Sequence, residues 1–217
     1  MPDDVGLFFR FVSLGNNCEF GGVQRAFGAE PIDLFRWAGI EYPAMVDLLR
    51  NRFEGIGDST SIEVKPDAEG HIINHTGYQF LVHSWVYDNG MSTELIRSRE
   101  SRRLTFLARK MTEELASGER IFVIKPGPWL TMTEARAMDL LRAMHEFGGR
   151  PTLLYVTEEA APAGAERVNE HLLHGHVPRF ADQLDVMRTF NAEDWLSVCR
   201  QAAELVDESG WRGQAPP

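Results

Sequence analysis

The sequence predicts an α/β fold, a three-layer domain with a mainly parallel sheet and an inserted antiparallel hairpin region. Three observations predict it. Short apolar runs alternate with amphipathic helical segments, as where Arg120–Lys125 and Thr152–Thr157 flank a helix. The first run, Leu7–Leu14, is apolar, aromatic and β-branched, the pattern of a strand buried on both faces, which places it at the centre of the sheet. The stretch Ser61–Tyr87 instead carries short runs broken by close turn signals, the mark of antiparallel pairing.

Taken in order, the elements have local reasons. Leu7–Leu14 ends at Gly15-Asn16-Asn17, and Glu19–Phe27 then reads as a short helix with Cys18 on its first turn. Its Gly21-Gly22 pair is costly, since glycine weakens a helix by about 1 kcal/mol, and implies a tight turn or a close approach of backbone or ligand. Pro43–Arg52 is a weaker helix. Ile62–Lys65 and His71–Asn74 flank a polar turn at Pro66–Gly70, and Gln79–His83 follows Gly77. Leu104, Leu107, Met111 and Leu115 recur at helical spacing within Thr93–Ser117, which Gly118 can terminate. Thr131-Met132-Thr133-Glu134 has the form of a capping box, opening a helix that runs to about Phe147 before Gly148-Gly149. Leu172–Val177 is a further strand. Asn191 can cap a final helix with Trp195, Val198, Cys199 and Ala202 on one face.

Composition bounds the function. The chain has 217 residues, 43% hydrophobic and 25% charged, which suits a globular protein; residues 1–209 read as one domain and 210–217 as a frayed tail. No apolar stretch reaches the roughly 20 residues of a membrane span, and the start Met1-Pro2-Asp3-Asp4 is acidic where a signal peptide is basic, so the expected location is cytoplasmic. A net charge of −10 argues against a nucleic-acid partner. The two cysteines, Cys18 and Cys199, are too far apart for a Cys-x-x-Cys site, and Cys199 reads as a buried apolar residue. No cofactor motif emerges, and the oligomeric state is open.

Cys18 carries the sharpest chemical hypothesis. A thiol where a strand turns into a helix sits among outward-pointing N–H groups, at the positive end of the helix dipole, which favours thiolate. A cysteine nucleophile needs a base, and His83 at the end of an apolar run is the best placed of seven histidines. Asp88 or Asn89 lies close enough in sequence to orient it; Asp33 is another possibility. The Asn17 side chain or the Cys18 N–H can supply an oxyanion hole. The plainer alternatives are a structural cysteine and a surface histidine.

The residues Ser13-Leu14-Gly15-Asn16-Asn17-Cys18, then Gln24-Arg25-Ala26-Phe27-Gly28, then Pro31-Ile32-Asp33 and Trp37, carry a family resemblance. They resemble the opening of a bacterial family of unknown function whose members are described as papain-like cysteine peptidases. That opening has the form Ser-Leu-Gly-x-x-Cys, an arginine-containing helix and a Pro-Phe-Asp-Trp block. A later histidine after an apolar residue, and an arginine-rich helix before a strand, have counterparts in Val82-His83, Arg99–Leu104 and Ile121–Lys125. The likeness spans Phe11–Lys125. It departs where Trp37 lies four residues beyond Asp33, and where Ser84 replaces the acidic residue usual after the histidine. The resemblance implies Cys18 as nucleophile and His83 as base. It also implies a histidine on an antiparallel sheet, whereas the periodicity predicts a mainly parallel one. Members of the family occur beside or fused to glycosyltransferases, which implies a role near surface polysaccharides.

Other clusters are weaker. His174 and His176 would share a strand face near His171, and Asp182 could complete a metal site, but no wider zinc signature accompanies them, and no metal is expected. Arg97, Arg99, Arg102, Arg103, Arg109 and Lys110 could grip a phosphate or carboxylate, but such a run, interleaved with Glu94 and Glu100, is more often the solvated face of a helix. Two functional readings follow. One is a cysteine-dependent hydrolase or acyltransferase acting on a small-molecule, glycan or peptide substrate. The other is a non-catalytic sugar- or nucleotide-binding module using Asn16, Asn17, Arg36 and Trp37.

Overall fold

In a computed structural model that describes residues 4–67, 70–84, 90–127 and 131–208, two sheets share the chain. Sheet A has the order β1 (Phe11–Ser13), β6 (Ile121–Ile124), β7 (Thr152–Glu158), β9 (Leu172–Val177), β8 (Gly164–Arg167). Its first four members are parallel, and β8 returns antiparallel to β9. Sheet B is antiparallel, in the order β2 (Ala38–Gly39), β5 (Phe80–His83), β4 (Gly70–His75), β3 (Ile62–Asp67). It is the inserted hairpin region that the turn signals predict, enlarged by the short β2.

Alternation along sheet A makes three layers. Val12, Phe122, Leu153 and Leu172 share one core with α3 (Tyr42–Arg50), α4 (Thr93–Ser117), α5 (Glu134–His145) and the inner face of sheet B. Phe11, Val123, Leu154 and Leu173 face the opposite way, onto α1 (Asp4–Phe8), α2 (Glu19–Ala26) and α7 (Ala192–Glu208). The helices start and stop for identifiable reasons. The Ser92 hydroxyl accepts from the Leu95 N–H at 3.3 Å to open α4, and Gly118, at φ 68°, closes it. Asn191 accepts from the Glu193 N–H at 3.2 Å ahead of α7.

Several expectations are corrected. The run Leu7–Leu14 is not one strand: Leu7 and Phe8 belong to α1, and only Phe11–Ser13 pairs. β1 is also not central; it is an edge strand beside β6. Its unbroken hydrophobicity reflects helices and sheet B covering both its faces rather than strands on both its sides. The Thr131 capping box is not used. Thr133 is the cap, its hydroxyl accepting from the Arg136 N–H at 3.4 Å, so α5 opens at Glu134. The tail 210–217 lies outside the described residues. No helix among the described residues is long and apolar enough to cross a membrane.

Candidate functional site

The site begins at the turn leaving β1. Gly15 and Asn16 both adopt positive φ, 83° and 85°. A Cβ on Gly15 would stand 3.0 Å from Ile40 and 3.2 Å from the Ala38 carbonyl, so the turn is seated against the β2 edge of sheet B. The Asn16 amide donates to the Lys125 carbonyl at 2.9 Å, fixing the turn to the end of the neighbouring strand β6. The carboxyl ends of β1 and β6 thus form one lip, the usual place for a ligand in a parallel sheet.

Cys18 follows as the cap residue of α2 rather than within its first turn, with φ −79° and ψ 0°. Its carbonyl accepts from Gly22 N at 2.8 Å, and Asn17 Oδ1 accepts from Glu19 N at 3.0 Å. The helix therefore starts on the Asn17 side chain and the Cys18 backbone. The thiol is left half-buried at the amino end of α2. The glycine pair is explained by close approach. A Cβ on Gly21 would meet the Arg36 carbonyl at 2.7 Å, and one on Gly22 would meet Phe190 at 2.9 Å.

Sheet B brings His83 to the same place. The seated turn rests on β2, and β2 pairs with β5, Gly39 opposite Leu81 and Ala38 opposite Val82. The His83 N–H continues that ladder to the Trp37 carbonyl at 3.2 Å. Phe80 and Val82 point into the core, so Leu81 and His83 point away from it. Cys18, His83 and Asn17 consequently line one cavity of about 620 Å³. Ile72 and Leu81 line it from sheet B; Leu184 and, within the short α6 (Val186–Thr189), Met187 line it from the segment ahead of α7. Trp37 also lines it, with the guanidinium groups of Arg25 and Arg36 over its ring at 4.4 and 4.6 Å.

One member of the site escapes sequence reasoning. Asp67 Oδ2 stands 3.8 Å from His83 Nδ1, within ion-pair reach though beyond hydrogen-bond distance. The register explains it: Lys65 lies opposite Ile72, Ile72 opposite His83, and Asp67 is two residues beyond Lys65 on the same face. Pro66–Gly70 reads as a turn in the sequence, yet Pro66 and Asp67 extend β3 and pair with His71 and Gly70. Asp88, the sequence-based choice to orient His83, lies outside the described residues.

The other candidates fall elsewhere. Asp33 does not line the cavity; its Oδ1 is 3.2 Å from Lys110 Nζ, and burial pushes its pKa up to about 6 despite the lysine. Arg36 is buried, donating to the Gly21 and Ala29 carbonyls at 3.1 and 2.9 Å and pairing with Glu30 at 2.5 Å. Burial lowers its pKa from the usual arginine value. Asn16 lines the cavity, but its amide is bonded to Lys125. Four of the six cations on α4 are engaged within the chain: Arg97 donates to the Ile62 carbonyl, Arg103 and Arg109 pair with Glu100 and Glu113, and Lys110 with Asp33 and Glu114.

His174 and His176 do share a face of β9, with ring centres 6.2 Å apart, but each has its own partner. His174 contacts Thr157 Oγ1 at 2.7 Å, and His176 contacts the Pro162 carbonyl at 2.8 Å. Asp182 accepts from Leu184 N instead. Among the described residues, no group of three or more His, Cys, Asp or Glu is disposed to hold a metal ion. Comparison of the chain with known families, with functionally described proteins and with solved structures finds no match.

Proposed function

We propose that this protein is a cysteine-dependent acyl-transferring enzyme, a hydrolase or acyltransferase, with Cys18 as nucleophile and His83 as its base. The observation that carries the reading is convergence: a thiol capping a helix and an imidazole on a different sheet line one cavity. Asp67, facing Nδ1 of His83 at 3.8 Å, takes the orienting role. His83 takes the thiol proton, and Sγ bonds to the substrate carbonyl carbon. The developing oxyanion is met by the Cys18 N–H and the Asn17 amide nitrogen. The imidazolium then returns the proton to the leaving group as its bond breaks. Water or a second acceptor, deprotonated by His83, releases the acyl group from sulfur.

The resemblance through Ser13–Cys18 and Val82-His83 supports the same pair, and a histidine on an antiparallel sheet fits what it implies. It also directs attention to acylated glycans or peptides near the cell surface as substrates. The binding-module reading draws less support, because Arg36 and the Asn16 amide are bonded within the chain.

The test is alkylation of Cys18 by iodoacetamide across pH, mapped by mass spectrometry. An apparent thiol pKa well below the ordinary value of about 8.5, restored towards it by His83→Ala, is the expected outcome. A Cys18 that reacts as a free thiol in both proteins would overturn the proposal.

A further inference from the structure

The residue after the nucleophile is a fully buried carboxylate that the acyl-transfer steps do not use. Glu19 Oε1 accepts from the Ala181 N–H at 3.2 Å and from the Trp195 indole N–H at 2.9 Å. Glu19 Oε2 lies 3.1 Å from Nζ of Lys125, itself only 3% exposed, with that ammonium 4.4 Å from the Phe180 ring. Lys125 is also the residue whose carbonyl holds Asn16. One carboxylate thus gathers the start of α2, the end of β6, the chain at 180–181 and α7.

The segment gathered in this way becomes one wall of the cavity. Between Asp182 and Thr189 its hydrogen bonds are local, Asp182 N to Thr189 Oγ1 and Leu184 N to Asp182 Oδ1, with no strand ladder to hold it. It needs anchors at its ends. Phe190 and Met187 settle on Gly22, where a Cβ would come within 2.9 and 3.2 Å of them, and Ala181 is bonded to Glu19. Both anchors fall on the first turn of the helix that Cys18 caps. The wall is therefore referenced to the nucleophile itself, although Leu184 and Met187 at its tip are exposed. A buried carboxylate beside a nucleophilic thiol would disfavour thiolate if it stood alone; the Lys125 ammonium offsets it.

We infer that Glu19 is the positioning residue of this site: its side chain fixes the 181–190 wall of the cavity that Cys18 lines, and Lys125 makes that carboxylate tolerable there. The inference rests on the proposed role of Cys18. Two double variants of the full chain isolate it, since neither leaves a buried charge unmatched. Glu19→Gln with Lys125→Met keeps an acceptor for Ala181 and Trp195; Glu19→Ala with Lys125→Met does not. Each is read by the labelling rate of Cys18 with an N-acyl-leucyl chloromethyl ketone, chosen so that its apolar side chain meets Leu184 and Met187 of the lining, divided by that with the smaller iodoacetamide. The rate of amide exchange at Ala181 is read alongside.

The Gln variant is expected to keep the wild-type ratio. The Ala variant is expected to lose about tenfold in it, with faster exchange at Ala181. Equal ratios in the two variants overturn the inference, and faster exchange without a change in ratio marks a purely structural tie and overturns it too. If Cys18 of the wild type labels like a free thiol and ignores His83→Ala, the catalytic reading fails instead, while the ratio still reports on the wall.

Discussion

The two cysteines of this chain show how much of a thiol's chemistry is decided by where it sits on a helix. Cys18 caps α2, half-buried, at the rim of a cavity with a histidine on the same lining. Cys199 lies in the interior of α7, fully buried against sheet A, and burial pushes its thiol well above the ordinary range. One stands at the amino end of a helix on the lining of a cavity, and the other behaves as a small apolar side chain. The difference is set by the element each residue occupies and the layer that element faces.

The comparison breaks most severely if the interior position is made polar. Cys199→Asp places a carboxyl in the α7–sheet layer and should destabilise the fold by more than about 4 kcal/mol, measured by urea unfolding. Asp33 extends the comparison to carboxyl groups. Its folded pKa of about 6 lies above the reference 3.8, so the folded chain holds the proton more tightly than the unfolded one. Its contribution to stability is then full below pH 3.8 and falls as pH rises to about 6. Above that, the ionised form carries a penalty on the order of 3 kcal/mol. Asp33→Asn should match the wild type at pH 3.5 and exceed it by an amount that grows up to pH 6 and then levels. A gain of equal size at both ends would show that the proton is not involved.

Two smaller effects sharpen the contrast at the exposed thiol. His83→Ala should slow alkylation of Cys18 at pH 7 by about tenfold, equivalent to about 1.4 kcal/mol, while Cys199 stays unlabelled until the protein unfolds. Cys18→Ser should change stability by no more than about 0.5 kcal/mol, because the site is half-exposed and packs no core. A large loss of stability there would assign Cys18 to the scaffold.

Much of this was legible in the sequence because it is local. Apolar runs and helix-stop glycines marked β6, β7, β9 and α4, and the strand–turn–helix order put Cys18 at a carboxyl end. What was illegible depends on contacts across the chain. Asp67 meets His83 only through the diagonal of two strand pairings, and no spacing in the sequence encodes it. Arg36 and Asp33 look like site residues beside Trp37, but the segment turns them towards backbone carbonyls and Lys110. Glu19 reads as an ordinary acidic residue in a first helical turn; its burial is decided by residues more than 160 positions away.

That last separation has a consequence for biosynthesis. The cavity needs the hairpin insertion to dock, β6 to join β1, and the indole of Trp195 to reach a carboxylate laid down 176 residues earlier. On a ribosome, where the amino end emerges first, Cys18 is made long before the last of these neighbours. The surroundings of this thiol are therefore completed only once the segment through Trp195 has been made and packed.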